Sequence, residues 1–120
     1  MPLALNWLLI IVLTLLSGLG DAYGFAHAAL VWQQGRLVGG ELARSAAGFA
    51  AGIGLYWLAL RNMTAVGIVA PEVQTIAWFG VTLIGVAVLS GRFLAWPALD
   101  RAVAVAVLAG IGWLLVRTGG

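Results

Sequence analysis

Four long apolar stretches, separated by short charged or turn-forming segments, dominate this chain of 120 residues. They cover about residues 9–32, 42–60, 71–90 and 97–116. A helix needs about 20 mostly apolar residues to cross the hydrocarbon core of a membrane. The strands of a membrane barrel would instead alternate polar and apolar residues. The pattern therefore predicts an all-α membrane protein, with four transmembrane helices in a compact bundle that forms one domain over residues 1–120.

The composition excludes several classes of function. Hydrophobic residues make up 63% of the chain and charged residues 8%, whereas a soluble domain is about half apolar and about a quarter charged. A soluble enzyme is therefore excluded. The basic residues are six dispersed arginines, so no nucleic-acid partner is expected. Without cysteine, the chain has no disulfide, thiolate metal site or cysteine nucleophile. We expect no cofactor and no metal.

The ends of the stretches carry residues that suit helix termini and membrane boundaries. Pro71 and Pro97 fit the first turn of a helix, where a missing N–H costs no hydrogen bond. Indole rings favour the membrane–water boundary, and most tryptophans lie near predicted ends: Trp32, Trp57, Trp96 and Trp113. Trp78, inside the third stretch, is the exception. Residues 62–70 are too short to span, and we interpret them as a tight connection or an extension of the third helix.

The first apolar segment is longer than one membrane crossing requires. As a single helix, Leu3 to Trp32 would reach about 45 Å, against a hydrocarbon core of about 30 Å. A span over Leu9–Trp32 places Asp21 near the middle of the membrane. A span over Leu3–Gly20 places Asp21 at the surface. The functional interpretation depends on which register is correct, and we favour the first.

Asp21 is the first candidate for a functional residue. A charged aspartate at the centre of a membrane helix costs about 2.5 to 3.5 kcal/mol on insertion scales, and such residues usually mark ion or proton pathways. Thr14, Ser17, Asp21 and Gly24 follow helical spacing and form one seam of polar and small residues. Burial would favour the protonated carboxyl group. The alternative is an aspartate in water at a helix boundary.

A second acidic site lies at the start of the third stretch. Glu72 has Gln74 and Thr75 close by in sequence. One interpretation is a substrate-binding group at the mouth of a pocket. The other is an acid that interacts with the positive end of the helix dipole.

Catalysis is not expected. His27 is more typical of a hydrogen-bonded helix residue than of a ligand, and metal catalysis needs at least three protein ligands. A triad drawn from Ser17, His27 and Asp21 has no local signature and no oxyanion loop. The sequence therefore predicts a protein that is not an enzyme.

Small residues form stripes on three of the helices. They are Gly20, Gly24 and Ala28 in the first, Gly48 and Gly52 in the second, and Ala102, Ala106 and Gly110 in the fourth. Small residues allow helix backbones to approach closely in lipid. These stripes can pack within one chain, or the stripe of the fourth helix can form a dimer seam. Both possibilities stay open at this point.

Several segments, all apolar or small in character, resemble one family. They are Tyr56-Trp57-Leu58-Ala59-Leu60, Gly67-Ile68-Val69-Ala70, Phe79 to Gly91, Pro97-Ala98 and Leu108-Ala109-Gly110-Ile111-Gly112. They resemble parts of the second, third and fourth helices of the small multidrug resistance proteins. That family is the four-helix branch of the drug/metabolite transporter superfamily, which also contains EamA-type carriers. The resemblance covers about half of the chain.

The resemblance also implies roles for residues. The family's signature is a membrane-embedded glutamate in the first helix, three residues before a glycine, and here Asp21 precedes Gly24 by three. The resemblance implies that Asp21 binds protons and substrate. The other candidates for binding substrate or protons are Ser17, Thr14, Glu72, Gln74 and Tyr56.

Two functions follow from these expectations. The first is a proton-coupled transporter that works as a homodimer, with two Asp21 carboxylates facing each other and a small-molecule substrate, for which a cation is the natural choice. The second is a non-transporting accessory or scaffold protein. In either case the partners include membrane lipids, and we expect a bacterial cytoplasmic (inner) membrane.

The arginines predict an orientation in the membrane. Four belong to the first and third loops or the turns next to them, and two belong to the other side: Arg36, Arg44, Arg92 and Arg101 against Arg61 and Arg117. Positive residues favour the cytoplasmic side. We therefore expect cytoplasmic first and third loops with both termini outside. A reporter fused to the C-terminus that is found only in the cytoplasm would contradict this orientation.

Overall fold

The computed structural model describes residues 2–118 and contains four α-helices. They are α1 (Leu3–Ala28), α2 (Gly39–Ala65), α3 (Pro71–Ser90) and α4 (Ala98–Thr118). An antiparallel hairpin of β1 (Trp32–Gln33) and β2 (Arg36–Leu37) joins α1 to α2. A 3-10 turn at Phe93–Ala95 precedes α4.

Three of the helices are long and apolar enough to cross a membrane: α1, α3 and residues Ala98–Arg117 of α4. The second helix, α2, does not reach the same hydropathy within the described residues, because it is rich in glycine and alanine and carries Glu41, Arg44 and Arg61. The prediction of a helical membrane protein is supported by these three helices. Four membrane-spanning helices in a compact bundle are not confirmed.

The hairpin between α1 and α2 sets where both helices end and begin. Gln34 and Gly35 have φ angles of 54° and 75°, which suit a tight two-residue turn between strands. The Val38 N–H donates to Val31 O at 2.8 Å. This turn ends α1 at Ala28, four residues before the predicted end at Trp32.

The second connection also differs from the expected one. The α2 helix continues to Ala65, five residues beyond the predicted end at residue 60. Part of the segment 62–70 therefore extends α2 and not α3, and residues 66–70 form the connection. Gly67, with a φ of 89°, lies in this connection, and such an angle suits glycine.

Glycines bring α1 and α2 into backbone contact. A Cβ atom on Gly48 would lie 2.6 Å from Gly24 N, and one on Gly20 would lie 3.0 Å from Gly52 Cα. Two side-chain hydrogen bonds reinforce the contact: Ser17 Oγ donates to Gly52 O at 2.7 Å, and Ser45 Oγ donates to Gly24 O at 2.8 Å. The glycine stripes of the first two helices thus pack within one chain.

The third helix packs on another face of α1. A Cβ atom on Gly85 would lie 2.8 Å from Ala22 Cβ, and one on Gly18 would overlap the side chain of Val81. Since both residue numbers rise together along this contact, α1 and α3 run parallel.

The fourth helix lies outside this three-helix core and packs mainly on α3. No residue from 98 to 117 is fully buried. The half-buried positions recur every three or four residues at Arg101, Ala104, Leu108, Ile111 and Leu115, which is the spacing of one helix face. The predicted dimer seam of Ala102, Ala106 and Gly110 is exposed, on the opposite side of α4.

Candidate functional site

Asp21 lies in the interior of the three-helix core, with 1% of its surface exposed. The Trp78 indole Nε1–H donates to Asp21 Oδ2 at 2.5 Å. On the other side, a Cβ atom on Gly52 would lie 2.6 Å from Asp21 Cγ and would overlap Oδ1. Gly52 therefore leaves the space that the carboxyl group occupies.

The neighbours of Asp21 come from the central parts of their helices. Gly52 is the middle residue of α2, and Trp78 is the eighth of the 20 residues of α3. At 1.5 Å per residue, α3 is about 30 Å long and Trp78 lies about 4 Å from its midpoint. Asp21 itself lies about 8 Å beyond the midpoint of α1. Asp21 is therefore buried within the protein, between the central parts of α2 and α3.

The charge of Asp21 has no opposite charge nearby in the described part of the chain. Both ion pairs found there involve Glu41. An ionised carboxylate that is buried with only a neutral donor is costly. This environment can hold a proton on Asp21, or a cation that enters from outside.

The other two polar members of the predicted seam are also buried. Ser17 is fully buried and bonds to α2 through Gly52 O, while Thr14 is 7% exposed. Thr14 lines an apolar cavity of about 360 Å³, and its Oγ1 has no hydrogen-bond partner in residues 2–118. The seam of Thr14, Ser17 and Asp21 is thus a continuous inward face of α1.

Tyr56 lies close to Trp78 and not directly against Asp21. The two rings have centroids 6.3 Å apart and are tilted by 57°. The Tyr56 side chain is half-buried. It therefore belongs to the surroundings of Asp21 through its contact with Trp78.

Glu72 and Gln74 lie at the beginning of α3, apart from Asp21. Glu72 is exposed in the first turn, where the helix dipole favours an acid. Gln74 Nε2 donates to Ile68 O at 3.0 Å and so fastens the preceding connection. Glu72 is six residues before Trp78, about 9 Å along the helix. The structure does not bring either residue to the Asp21 carboxyl group.

His27 belongs to a separate polar cluster at the end of α1. Its Nδ1 contacts Glu41 Oε2 on α2, and Arg44 Nη1 donates to Glu41 Oε1 at 3.2 Å. The Tyr23 ring lies 4.3 Å from the His27 ring. His27 is thus a hydrogen-bonded helix residue, as the sequence favours. Within residues 2–118, no three histidine, cysteine or acidic side chains are grouped to hold a metal ion.

Two important residues were not identified from the sequence. Glu41 directly precedes the second apolar stretch, and no local signal in the sequence connects it to His27. Trp78 had a signal, because it is the one tryptophan predicted inside a span and away from the boundaries. Its partner Asp21 is 57 residues away, which sequence spacing does not reveal.

Trp78 also lines an aromatic cavity of about 460 Å³. Its lining includes five aromatic rings and one threonine: Phe25, Trp78, Phe79, Phe93, Trp96 and Thr82. Trp78 therefore contacts both the buried carboxyl group and a pocket of the size that small ligands use.

No family model, curated protein or solved structure matches this chain. The resemblance to small multidrug resistance proteins thus rests on the segments quoted above. The interpretation of the site depends on the geometry of Asp21, Gly52 and Trp78.

Proposed function

We propose that this chain is a small membrane transporter of the drug/metabolite type, in which Asp21 exchanges a proton for a cationic small molecule. One observation carries the proposal. Asp21 is buried among three helices of an apolar protein, with an indole N–H as its donor and no ion pair in the described residues. Ionisable groups inside membrane helices commonly mark ion or proton pathways.

The exchange would work through Trp78. A protonated Asp21 is neutral and is tolerated in the apolar core. A cation that reaches the carboxyl group must displace the Trp78 indole, because the indole N–H is bonded to Asp21 Oδ2. The rings of Trp78 and Tyr56 could then attract the cation through their faces, while its charge displaces the proton from Asp21.

The proposal includes a homodimer. One chain offers only three helices around Asp21, and the exposed seam of α4 is available to a second copy. The sequence predicts two Asp21 carboxylates facing each other across the dimer. In the structure each carboxyl group is enclosed by α2 and α3 of its own chain. In the proposal, each chain therefore binds its proton or its cation at its own Asp21 carboxyl group.

Enlarging the α4 seam should weaken dimer formation. Ala106→Leu and Gly110→Leu would hold two α4 backbones apart, because small residues permit the closest approach in lipid. Val105→Leu is the control. Val105 is exposed and lies about 100° around the helix from Ala106, which is next to Gly110 in the seam. Cross-linking in membranes should fall for both seam variants and stay unchanged for the control. Equal cross-linking in all variants would show that the dimer interface lies elsewhere.

Transport can be tested in proteoliposomes that hold an outward proton gradient. Tetraphenylphosphonium is a suitable probe because it is a permanent aromatic cation. We expect the gradient to drive its uptake by the wild type and by Asp100→Asn, whose acid is exposed on α4. We expect no gradient-driven uptake by Asp21→Asn. Equal uptake by Asp21→Asn and the wild type would contradict a transport role for Asp21. The absence of proton-driven uptake of any cation would contradict it as well. The latter result would favour an accessory or scaffold role.

A further inference from the structure

The aromatic cavity beside α3 has a composition that differs from that of the Asp21 site. It follows α3 from Trp78 to Ser90, about 18 Å along the helix axis, and reaches the 3-10 turn. Among residues 2–117, no ionisable side chain lines it. Its walls are aromatic and aliphatic side chains, together with Thr82 and, at the exposed end, Ser90. A ligand that fits here is therefore mostly apolar and uncharged.

The hydroxyl group of Thr82, like that of Thr14 in the other cavity, differs from the hydroxyl groups of Thr64 and Thr75. Thr64 and Thr75 each donate their hydroxyl to the carbonyl four residues earlier, at 2.9 and 2.7 Å. That is the ordinary way in which a helical threonine satisfies its hydroxyl group. Thr82 is only 4% exposed, yet its Oγ1 has no partner in residues 2–118.

An unpaired buried hydroxyl is destabilising unless something bonds to it. Leaving such a group without a partner costs about 1 to 3 kcal/mol. Thr82 lines the cavity, and a rotation about its χ1 angle can redirect the hydroxyl without a change in the backbone. A lipid acyl chain in the cavity would leave the hydroxyl unpaired, whereas a ligand with a hydrogen-bond acceptor would satisfy it.

We propose that this cavity binds an uncharged aromatic molecule that carries a hydrogen-bond acceptor, and that Thr82 Oγ1 donates to that acceptor. The aromatic lining supplies the apolar contacts, with stacked or edge-to-face ring packing. The site is separate from the carboxyl group of Asp21, although Trp78 contacts both. It does not depend on proton-coupled transport.

Benzophenone is a direct probe of this site. It is an uncharged two-ring ketone, and ultraviolet light inserts its carbonyl carbon into nearby C–H bonds. We expect saturable labelling of the purified protein in lipid nanodiscs. Mass spectrometry should place the label in peptides that contain α3 and Phe93–Ala95.

Removing the hydroxyl group should weaken this binding specifically. Thr82→Val keeps the shape of the side chain, and we expect the half-saturating benzophenone concentration to rise about threefold to tenfold, as for the loss of one hydrogen bond. Thr82→Ser, which retains a hydroxyl, should recover most of the affinity. Thr75→Val is the matched control in the same helix, since Thr75 is exposed and its hydroxyl is already paired. Diphenylmethane, which lacks the carbonyl, should compete equally well in the wild type and in Thr82→Val.

The outcomes separate this proposal from its alternatives. Labelling that does not saturate and spreads over all lipid-facing helices would indicate an apolar surface for lipid and would overturn the proposal. Saturable labelling that is equal in the wild type and Thr82→Val would also overturn it. If a second copy of the chain covered the cavity, benzophenone labelling would be lost on dimerisation. That result would also overturn the proposal. Asp21→Asn should leave benzophenone labelling intact, so failure of the transport proposal and failure of this one are distinguishable.

Discussion

Replacing Gly48 with leucine is expected to separate α1 from α2 and to prevent stable folding. A Cβ atom at this position would lie 2.6 Å from Gly24 N and 2.8 Å from Gly20 O. Both are backbone atoms, so no side-chain rotation can relieve the overlap. Overpacking by added methylene groups costs about 1 to 3 kcal/mol when side chains can adjust. Here we expect a loss of about 3 kcal/mol or more in the free energy of unfolding.

Gly54 provides the matched control for this substitution. It lies in the same helix, and nothing lies within 4 Å of the Cβ atom that a substitution would add. Gly54→Leu should therefore keep the melting temperature in detergent close to that of the wild type, while Gly48→Leu should lower it strongly or yield aggregated protein on size exclusion. Equal melting temperatures for the two variants would contradict the close contact of α1 and α2.

Replacing Asp21 with asparagine should remove the pH dependence of cation binding. In the wild type a proton and tetraphenylphosphonium compete for one carboxyl group. Affinity should therefore fall as the pH falls, by up to about tenfold per pH unit where Asp21 becomes fully protonated. Asp21→Asn should fold, because a neutral amide is no harder to bury than a carboxylate and can still accept the Trp78 hydrogen bond. Its binding should be weak and independent of pH.

Two further variants make this prediction specific. Asp21→Glu should retain part of the pH dependence, because the charge remains, although its extra methylene group must fit against Gly52. Asp100→Asn should behave as the wild type, since Asp100 is exposed at the start of α4. Isothermal titration over a series of pH values measures all four proteins. Unaltered, pH-dependent binding by Asp21→Asn would contradict the assignment of Asp21.

Local patterns in the sequence were sufficient for part of this structure. Gly20 and Gly24 are four residues apart in α1, and Gly48 and Gly52 are four residues apart in α2. This spacing predicted helix faces that can approach closely, and the structure packs those faces together. The shared face of Thr14, Ser17 and Asp21 followed from helical periodicity, and all three side chains are buried. These features depend on spacing within one helix, which the sequence states directly.

Other features depend on how distant segments meet, and the sequence could not provide them. The bond from Trp78 to Asp21 and the contact of His27 with Glu41 join residues in different helices. The hairpin at Gln34 and Gly35 ends α1 at Ala28, four residues before the predicted end, while α1 begins at Leu3, six residues before the predicted start. The position of α4 outside the core also follows from packing, because its apolar residues surround the whole helix and leave the buried face unspecified.

The central claim is that Asp21 is a buried carboxyl group that exchanges its proton for a ligand. Counting the protons released when a cation binds tests this claim most directly. Purified protein in weakly buffered detergent solution would be mixed with tetraphenylphosphonium at a series of starting pH values while a pH indicator records the change. We predict that the wild type and Asp100→Asn release about one proton per bound cation where the empty site is fully protonated. We predict that Asp21→Asn releases none. Cation binding by the wild type without proton release, or equal release by Asp21→Asn, would contradict the claim.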